Sequence, residues 1–307
     1  MYDYLTKVSI NRPVSEDEAK RRLDVHKPAA SEAHDKHMVF HMNDVYLDIC
    51  DTSYQQLGWA TLAFLVGVPA FGYFGWQISL FAIQAPIFWT LVVPCVGGLV
   101  FCAAILFKDC FNYRHKTIRF NRKNRMVYAF RHNGKGGVVE VPWDEAFFFA
   151  HRQMSSPFNG GAPTVLRCYV LAEDGKTIVN TFSFGKRMVV GGSETSAWGQ
   201  RVFEQLLTNF EFVRKFMEDG PESVPPIKKY LSEGPSLSAS ASVLLQNFQR
   251  LRNSNAVLWV LMTVIALPMC LMVLLHYIAQ LTSREPVWPD DVQRASQPGE
   301  SPRAAVA

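Results

Sequence analysis

Fifty-six consecutive residues, 52–107, contain no Asp, Glu, Lys, Arg or His. Charged side chains cover the surface of water-soluble folds, so their absence over this length excludes an ordinary soluble domain here. A second run, 256–278, also lacks Asp, Glu, Lys and Arg, with His276 and Tyr277 its titratable groups besides cysteine. Ionisable groups inside a span usually mark transport or proton relay, so the spans argue against a transporter or channel. Cysteine is sparse as well. Cys50, Cys95, Cys102, Cys110, Cys168 and Cys270 make no close pair, which argues against a disulfide framework. No apolar core with a small-residue cleavage site follows Met1, so no signal peptide is expected.

Catalytic signatures are equally scarce. There is no G-x-S-x-G, no H-E-x-x-H and no phosphate loop at the required spacing, and nothing groups Ser193, Ser196, His151 and Asp144 as nucleophile, base and orienter. The glycine pairs Gly136-Gly137, Gly160-Gly161 and Gly191-Gly192 match no dinucleotide fingerprint. Ser193 after the last of them reads as a helix cap. His34, His37 and His41 would share one face of a helix and could ligate zinc. No cysteine joins them and the segment lacks a helical pattern, so no metal and no cofactor is expected. The chain is not expected to be an enzyme.

What is present divides by charge. Residues 1–51 have a balance of −3, residues 108–255 of +8, and residues 279–307 of −1. A membrane-crossing helix needs about 20 apolar residues. Residues 52–107 therefore predict a hairpin of two spans, Leu57–Trp76 and Pro86–Phe107, and residues 256–278 a third. Trp59, Tyr73, Trp76 and Trp89 fall near span ends, where amphipathic rings favour the headgroup zone. Lys108, Arg114, Lys116, Arg119, Arg122, Lys123 and Arg125 follow the hairpin with a single acid, Asp109. Positive flanks stay cytosolic. The N-terminal segment and central block are thus expected inside and the C-terminal tail outside.

After Tyr113 the apolar period becomes two. Thr117–Asn121, Met126–Arg131, Gly137–Val141, Ala146–Arg152, Val165–Ala172 and Thr177–Phe184 read as six antiparallel strands, the last two joined through Asp174-Gly175. Trp198, Val202, Leu206, Phe210, Val213 and Met217 then mark one face of a helix that stops at Gly220-Pro221. Residues 37–48 fit either a strand or a short amphipathic helix. The predicted organisation is a cytosolic N-terminal segment (1–51), a transmembrane hairpin (52–107), a sheet-plus-helix domain (108–220), a linker (221–255), a third span (256–278) and a disordered external tail (279–307).

The stretch Ile118-Arg-Phe-Asn-Arg-Lys-Asn-Arg-Met-Val-Tyr128 after a membrane hairpin, followed by Val139-Glu-Val-Pro-Trp-Asp144, resembles bacterial pleckstrin-homology-like membrane proteins. The chain is more closely similar to an uncharacterised family of bacterial membrane proteins of unknown function. Phe210-Glu-Phe-Val-Arg-Lys-Phe-Met-Glu-Asp-Gly-Pro221 matches that family's helix ending, and the resemblance covers residues 37–235. It implies an α+β membrane protein with three transmembrane helices. Its cytosolic antiparallel sheet or partial barrel would be pleckstrin-homology-like, capped by one amphipathic helix, in the bacterial inner membrane. Members are often encoded near type VI secretion genes, which implies an immunity or accessory role with an effector toxin or secretion component as partner.

The candidate lipid- or partner-binding residues are Arg114, Lys116, Arg119, Arg122, Lys123, Arg125, Trp143 and Asp144. The basic ones either hold anionic headgroups at about 1 kcal/mol each or merely fix topology. Trp143-Asp144 either forms a turn over a buried ring or supplies an aromatic contact on a binding surface. Nucleic acid is not an expected partner, because the basic block is already accounted for by the membrane. The alternative to an immunity role is a lipid-sensing or scaffolding membrane protein.

Overall fold

A computed structural model of the chain describes residues 9–54, 57, 59–80, 85–152, 162–190, 195–242 and 270–297. The chain forms two compact units. The sheet unit draws on Met1–Tyr54, His115–Glu233 and Pro286–Ala307, and the helical unit on Gln55–Arg114 and Gly234–Glu285.

The sheet unit contains ten strands: β1 (Arg12–Pro13), β2 (Arg22–Leu23), β3 (Val39–Met42), β4 (Tyr46–Cys50), β5 (Thr117–Asn121), β6 (Met126–Phe130), β7 (Val138–Pro142), β8 (Phe147–Arg152), β9 (Ala162–Leu171) and β10 (Thr177–Val190). They form two five-stranded sheets, β1-β10-β9-β8-β2 and β3-β4-β5-β6-β7, with every pairing antiparallel. This corrects the expected fold class. In place of one six-stranded sheet or partial barrel of pleckstrin-homology type there are two sheets, and the added strands come from residues 12–50. Residues 37–48 resolve as strands. The β3–β4 turn is closed by Asn43, whose side-chain oxygen accepts from the backbone N–H of Val45 and Tyr46 at 2.8 Å each.

Alternation decides which residues fill the core. In the second sheet the rows Leu47–Phe120–Val127–Val141 and Ile49–Ile118–Ala129–Val139 share one face and are buried. In the first sheet Phe148 and Phe184 meet Phe120, and Trp143 joins them with Phe210 at ring separations of 5.3–6.4 Å. Phe210 belongs to α4 (Ala197–Asp219), whose apolar stripe buries Val202, Leu206, Val213 and Met217, while Trp198 stays exposed. Ser196 caps α4 by accepting from the Gly199 N–H. The expected cap, Ser193, lies outside the described residues. Gly220 ends the helix at φ +97°, a left-handed geometry that glycine tolerates best.

The terminal segments cover the outer faces of both sheets. Residues 10–25 brace the first. β1 pairs with β10 at one edge and β2 with β8 at the other, with α1 (Glu16–Lys20) between them. Beneath this brace Phe147, Phe149, Tyr169 and Ile178 form a second core together with Val14. Glu18 fastens the brace: it takes two bonds from Arg12 at 2.6 and 2.8 Å and one from the Tyr169 hydroxyl at 2.7 Å. Burial pushes the Glu18 carboxyl up, but Arg12, the Ser15 backbone and Tyr169 outweigh it and hold the group at about 2. A carboxylate whose pKa falls on folding stabilises the fold above its unfolded value and loses that contribution as pH drops. Acid titration should therefore destabilise the sheet unit between about pH 4.5 and about 2. The Glu18→Gln variant should be less stable at pH 7 and lose less over that window, as thermal melts at each pH would read. Parallel melting curves for the two proteins would show that the brace contributes nothing.

The C-terminal tail covers the second sheet. It was expected to be disordered, yet residues 286–297 carry α6 (Asp290–Ala295) and belong to the sheet unit. The expectation failed because nothing in a short polar tail announces what it packs on. Residues 298–307 lie outside the described residues.

In the helical unit α2 (Trp59–Leu80) and α3 (Ala85–Cys110) form a hairpin. They approach closely: a Cβ on Gly98 would come within 2.6 Å of the Phe71 ring, so a side chain there would force the helices apart. Among the described residues one stretch, Ile87–Ala104, is long and apolar enough to cross a membrane. Phe64–Leu80 and α5 (Cys270–Thr282) are shorter apolar helices. Three transmembrane helices are therefore not what the structure presents. Much of the expected third span, residues 256–269, lies outside the described residues.

Candidate functional site

The eight residues singled out from the sequence do not converge on one surface. Arg114 lies in the helical unit, where its Nε donates to the Gln280 carbonyl at 3.3 Å. Arg119, on β5, is buried on the outer face of the second sheet. Its Nε and Nη2 form a bidentate pair with Asp48 at 2.8 and 2.7 Å, and Nη1 donates to the Ser296 hydroxyl at 3.0 Å. The guanidinium is sandwiched between Tyr46 and Trp288, 3.9 and 4.7 Å from their ring centroids. It has no face left for a headgroup. Burial pushes the Asp48 carboxyl up, and the Arg119 bonds oppose that shift.

Arg125, Trp143 and Asp144 do come together. Arg125 occupies the β5–β6 turn at φ +53°, and its guanidinium donates to Asp144 at 2.9 and 2.5 Å and to Glu218 at 2.8 Å. Trp143 is fully buried, and its indole N–H donates to the same Glu218 oxygen at 2.7 Å. The ring therefore packs as core, which answers the two readings of Trp143-Asp144 in favour of the turn. His26 reaches Asp144 at 3.5 Å and Glu218 at 3.6 Å. The node ties the N-terminal segment, the β5–β6 turn, the β7–β8 connection and the C-terminal end of α4 to one another.

The Arg125 hydrogen bond lowers the Asp144 pKa. Burial raises that of Glu218, but bonds from Arg125 and Trp143 outweigh it and leave the group lowered. The sequence reading missed Glu218 and His26. His26, Asp144 and Glu218 are the one group among the described residues whose ligating atoms are close enough for a metal ion. Both carboxylates already accept from Arg125, which supplies the positive charge that a cation would bring. His34, His37 and His41 do not assemble: His34 faces Glu32 and His41 faces Asn43.

Arg122 and Lys123, with Asp44, Val45, Arg125, Met217 and Glu218, line a wide-open pocket of about 410 Å³. Two of its three cations are engaged: Arg125 by the carboxylates and Lys123 by the Gln297 carbonyl at 3.3 Å. In the helical unit Ser240 and His276 meet at 2.9 Å with Gln280 beside them. Both are fully buried.

Two features stand out: the apolar surface of the α2–α3 hairpin, and the polar outer face of the second sheet with Arg119 at its centre. Comparison with known proteins adds a family. A model described as a family of unknown function (DUF6708) matches residues 98–300. Neither a curated protein nor a solved structure matches the chain.

Proposed function

Because the chain belongs to the DUF6708 family of unknown function, whose model takes in about two thirds of its length, we propose from its geometry that it is a membrane-anchored binding protein. The observation that carries this reading is the surface of the hairpin. On α2, Val66, Phe74 and Trp76 are more than 60% exposed, and on α3 so are Val93, Val100 and Phe101. A contiguous apolar patch larger than a few hundred Å² marks a membrane or partner surface. Bilayer is the better match here, because the exposed rings and aliphatic chains recur along the whole length of α3.

The sheet unit supplies the binding part. Its cores are filled, and its charged clusters are closed on themselves, as at Arg125–Asp144–Glu218. The lipid-sensing alternative loses Arg119 and Arg125 to these ion pairs, which favours a protein partner over headgroups. Following the resemblance, that partner is an effector toxin or a type VI secretion component. Deleting the gene should then sensitise cells to toxin-armed siblings. Unchanged survival would remove this partner and leave the anchor standing.

The positive flank and the packing together support an orientation. Lys108–Arg125 keeps the sheet unit cytosolic, and a folded unit cannot straddle a bilayer. Residues 286–297 belong to that unit, which supports a cytosolic C-terminal segment in place of the external one that three spans would give. A fluorescent protein fused after Ala307 should light up in the cell, and alkaline phosphatase fused there should be inactive. Active phosphatase would overturn the assignment.

A further inference from the structure

The outer face of the second sheet is unusual in what it buries. Its central row runs Asp48–Arg119–Tyr128–Glu140 across β4 to β7. Asp48, Arg119 and Asn121 are each at most 7% exposed, although they point away from the core. Residues 286–297 cover them and are held by groups that read a peptide. Asn121 donates to the Ala295 carbonyl at 3.0 Å and Lys123 to the Gln297 carbonyl at 3.3 Å. Asn133 accepts from the Val287 N–H at 2.8 Å. Trp288 lies over the Arg119 guanidinium and edge-on to Phe130, 5.7 Å between ring centroids. Val292 of α6 and Ser296, which caps its C-terminal end, are buried.

We propose that this face is a peptide-docking groove, that residues 286–297 are its internal ligand, and that a partner's peptide of the same chemistry displaces them. That chemistry is an aromatic ring for the Arg119 shelf, followed about two helical turns later by a hydroxyl for Arg119 Nη1. Three observations support an exchangeable ligand over a fixed part of the sheet. The tail adds no strand to either sheet, so no ladder of backbone bonds holds it. A six-residue helix does not persist without a surface to dock on, so its order depends on the groove. Docking also carries an unfavourable contact: burial and the neighbouring Asp291 both push the Glu140 carboxyl up. Only three residues separate Thr282, the end of α5, from Pro286, so the tail is held at high local concentration and excludes weak competitors.

The groove deepens the binding reading by naming its surface and ligand, and its test leaves the anchor untouched. A labelled peptide of residues 284–297 would be titrated against the full chain in mild detergent, with fluorescence anisotropy as readout. The Trp288→Ala chain should bind it about tenfold more tightly than the wild type, because its own tail competes less well. A peptide carrying the same Trp288→Ala change should not bind. Equal binding of the two peptides, or no binding by a Trp288→Ala chain with wild-type circular dichroism, would overturn the proposal. Should that variant not fold, hydrogen exchange on the wild type decides. Amides of Val287, Gln293 and Ser296 should exchange at least about tenfold faster than those of β5 and β6, as a locally opening segment does. Equal protection would make the tail an integral part of the sheet unit.

Discussion

Asp48→Ala should lower the unfolding free energy of the sheet unit by about 3–5 kcal/mol, the cost of leaving a buried charge without its partner. Arg119 cannot escape to water: its side chain is 8% exposed, with Tyr46 on one side and Trp288 on the other. Among the described residues its remaining hydrogen-bond acceptor is the Ser296 hydroxyl, which is neutral. Replacing both members, as in Asp48→Leu with Arg119→Met, should recover most of the loss, since buried ion pairs exchanged for apolar residues of similar size are often neutral or better. The double variant should nevertheless lose the tail, because the shelf beneath Trp288 and the donor to Ser296 go with the guanidinium. Chemical denaturation of the wild type and the two variants reads the first effect, and protease access to residues 286–297 reads the second. A single-variant loss below about 1 kcal/mol, the range for exposed pairs, would mean that water reaches Arg119.

That buried pair also shows where reading the chain failed. The alternation in Thr117-Ile-Arg-Phe-Asn121 is clear, and β5 has those bounds. Phe120 faces Phe184 and Trp143 as an inner residue should. The same rule puts Arg119 and Asn121 on the opposite, outer face, yet both are buried. What covers them is encoded more than 160 residues later, in a segment with no periodicity of its own. β1 and β2 were hidden for a related reason. Two residues cannot express a period of two, and each strand exists only because an edge of the first sheet accepts it.

The node around Arg125 was half legible. Trp143 and Asp144 stood out by composition, whereas Glu218 and His26 are brought in by the fold. One local sign was available: Glu218 and Asp219 end α4, and acids at a helix C-terminus oppose the macrodipole. A violation of that kind needs a compensating cation, and Arg125 provides it together with the Trp143 N–H. The apolar hairpin was the most legible feature, since Leu57–Trp76 and Pro86–Phe107 became α2 and α3 with shifts of a few residues. What composition did not reveal is that residues 286–297 group with the sheet unit, because that depends on packing.

Val96→Arg should remove the protein from the membrane fraction. Val96 lies at the middle of Ile87–Ala104 and is 52% exposed. An arginine at the centre of a spanning helix costs about 2.5–3.5 kcal/mol on insertion scales, roughly a hundredfold in an insertion equilibrium. No carboxylate lies between residues 52 and 107 to receive it. The sign of the effect separates the two possible environments. On a water-exposed helix the same change at a half-exposed valine stays within about 0.5 kcal/mol and improves solubility. In a bilayer it blocks insertion and sends the chain to aggregates or proteolysis. Val179→Arg, at a 42% exposed position on the first sheet, is the matched control and should leave fractionation unchanged. Quantifying both variants in pelleted membranes after carbonate extraction decides the matter. A Val96→Arg chain that stays in the pellet at wild-type level would mean that α3 does not meet the hydrocarbon core, and a Val96→Arg chain recovered folded from the aqueous phase would mean that the hairpin's apolar surface awaits a protein.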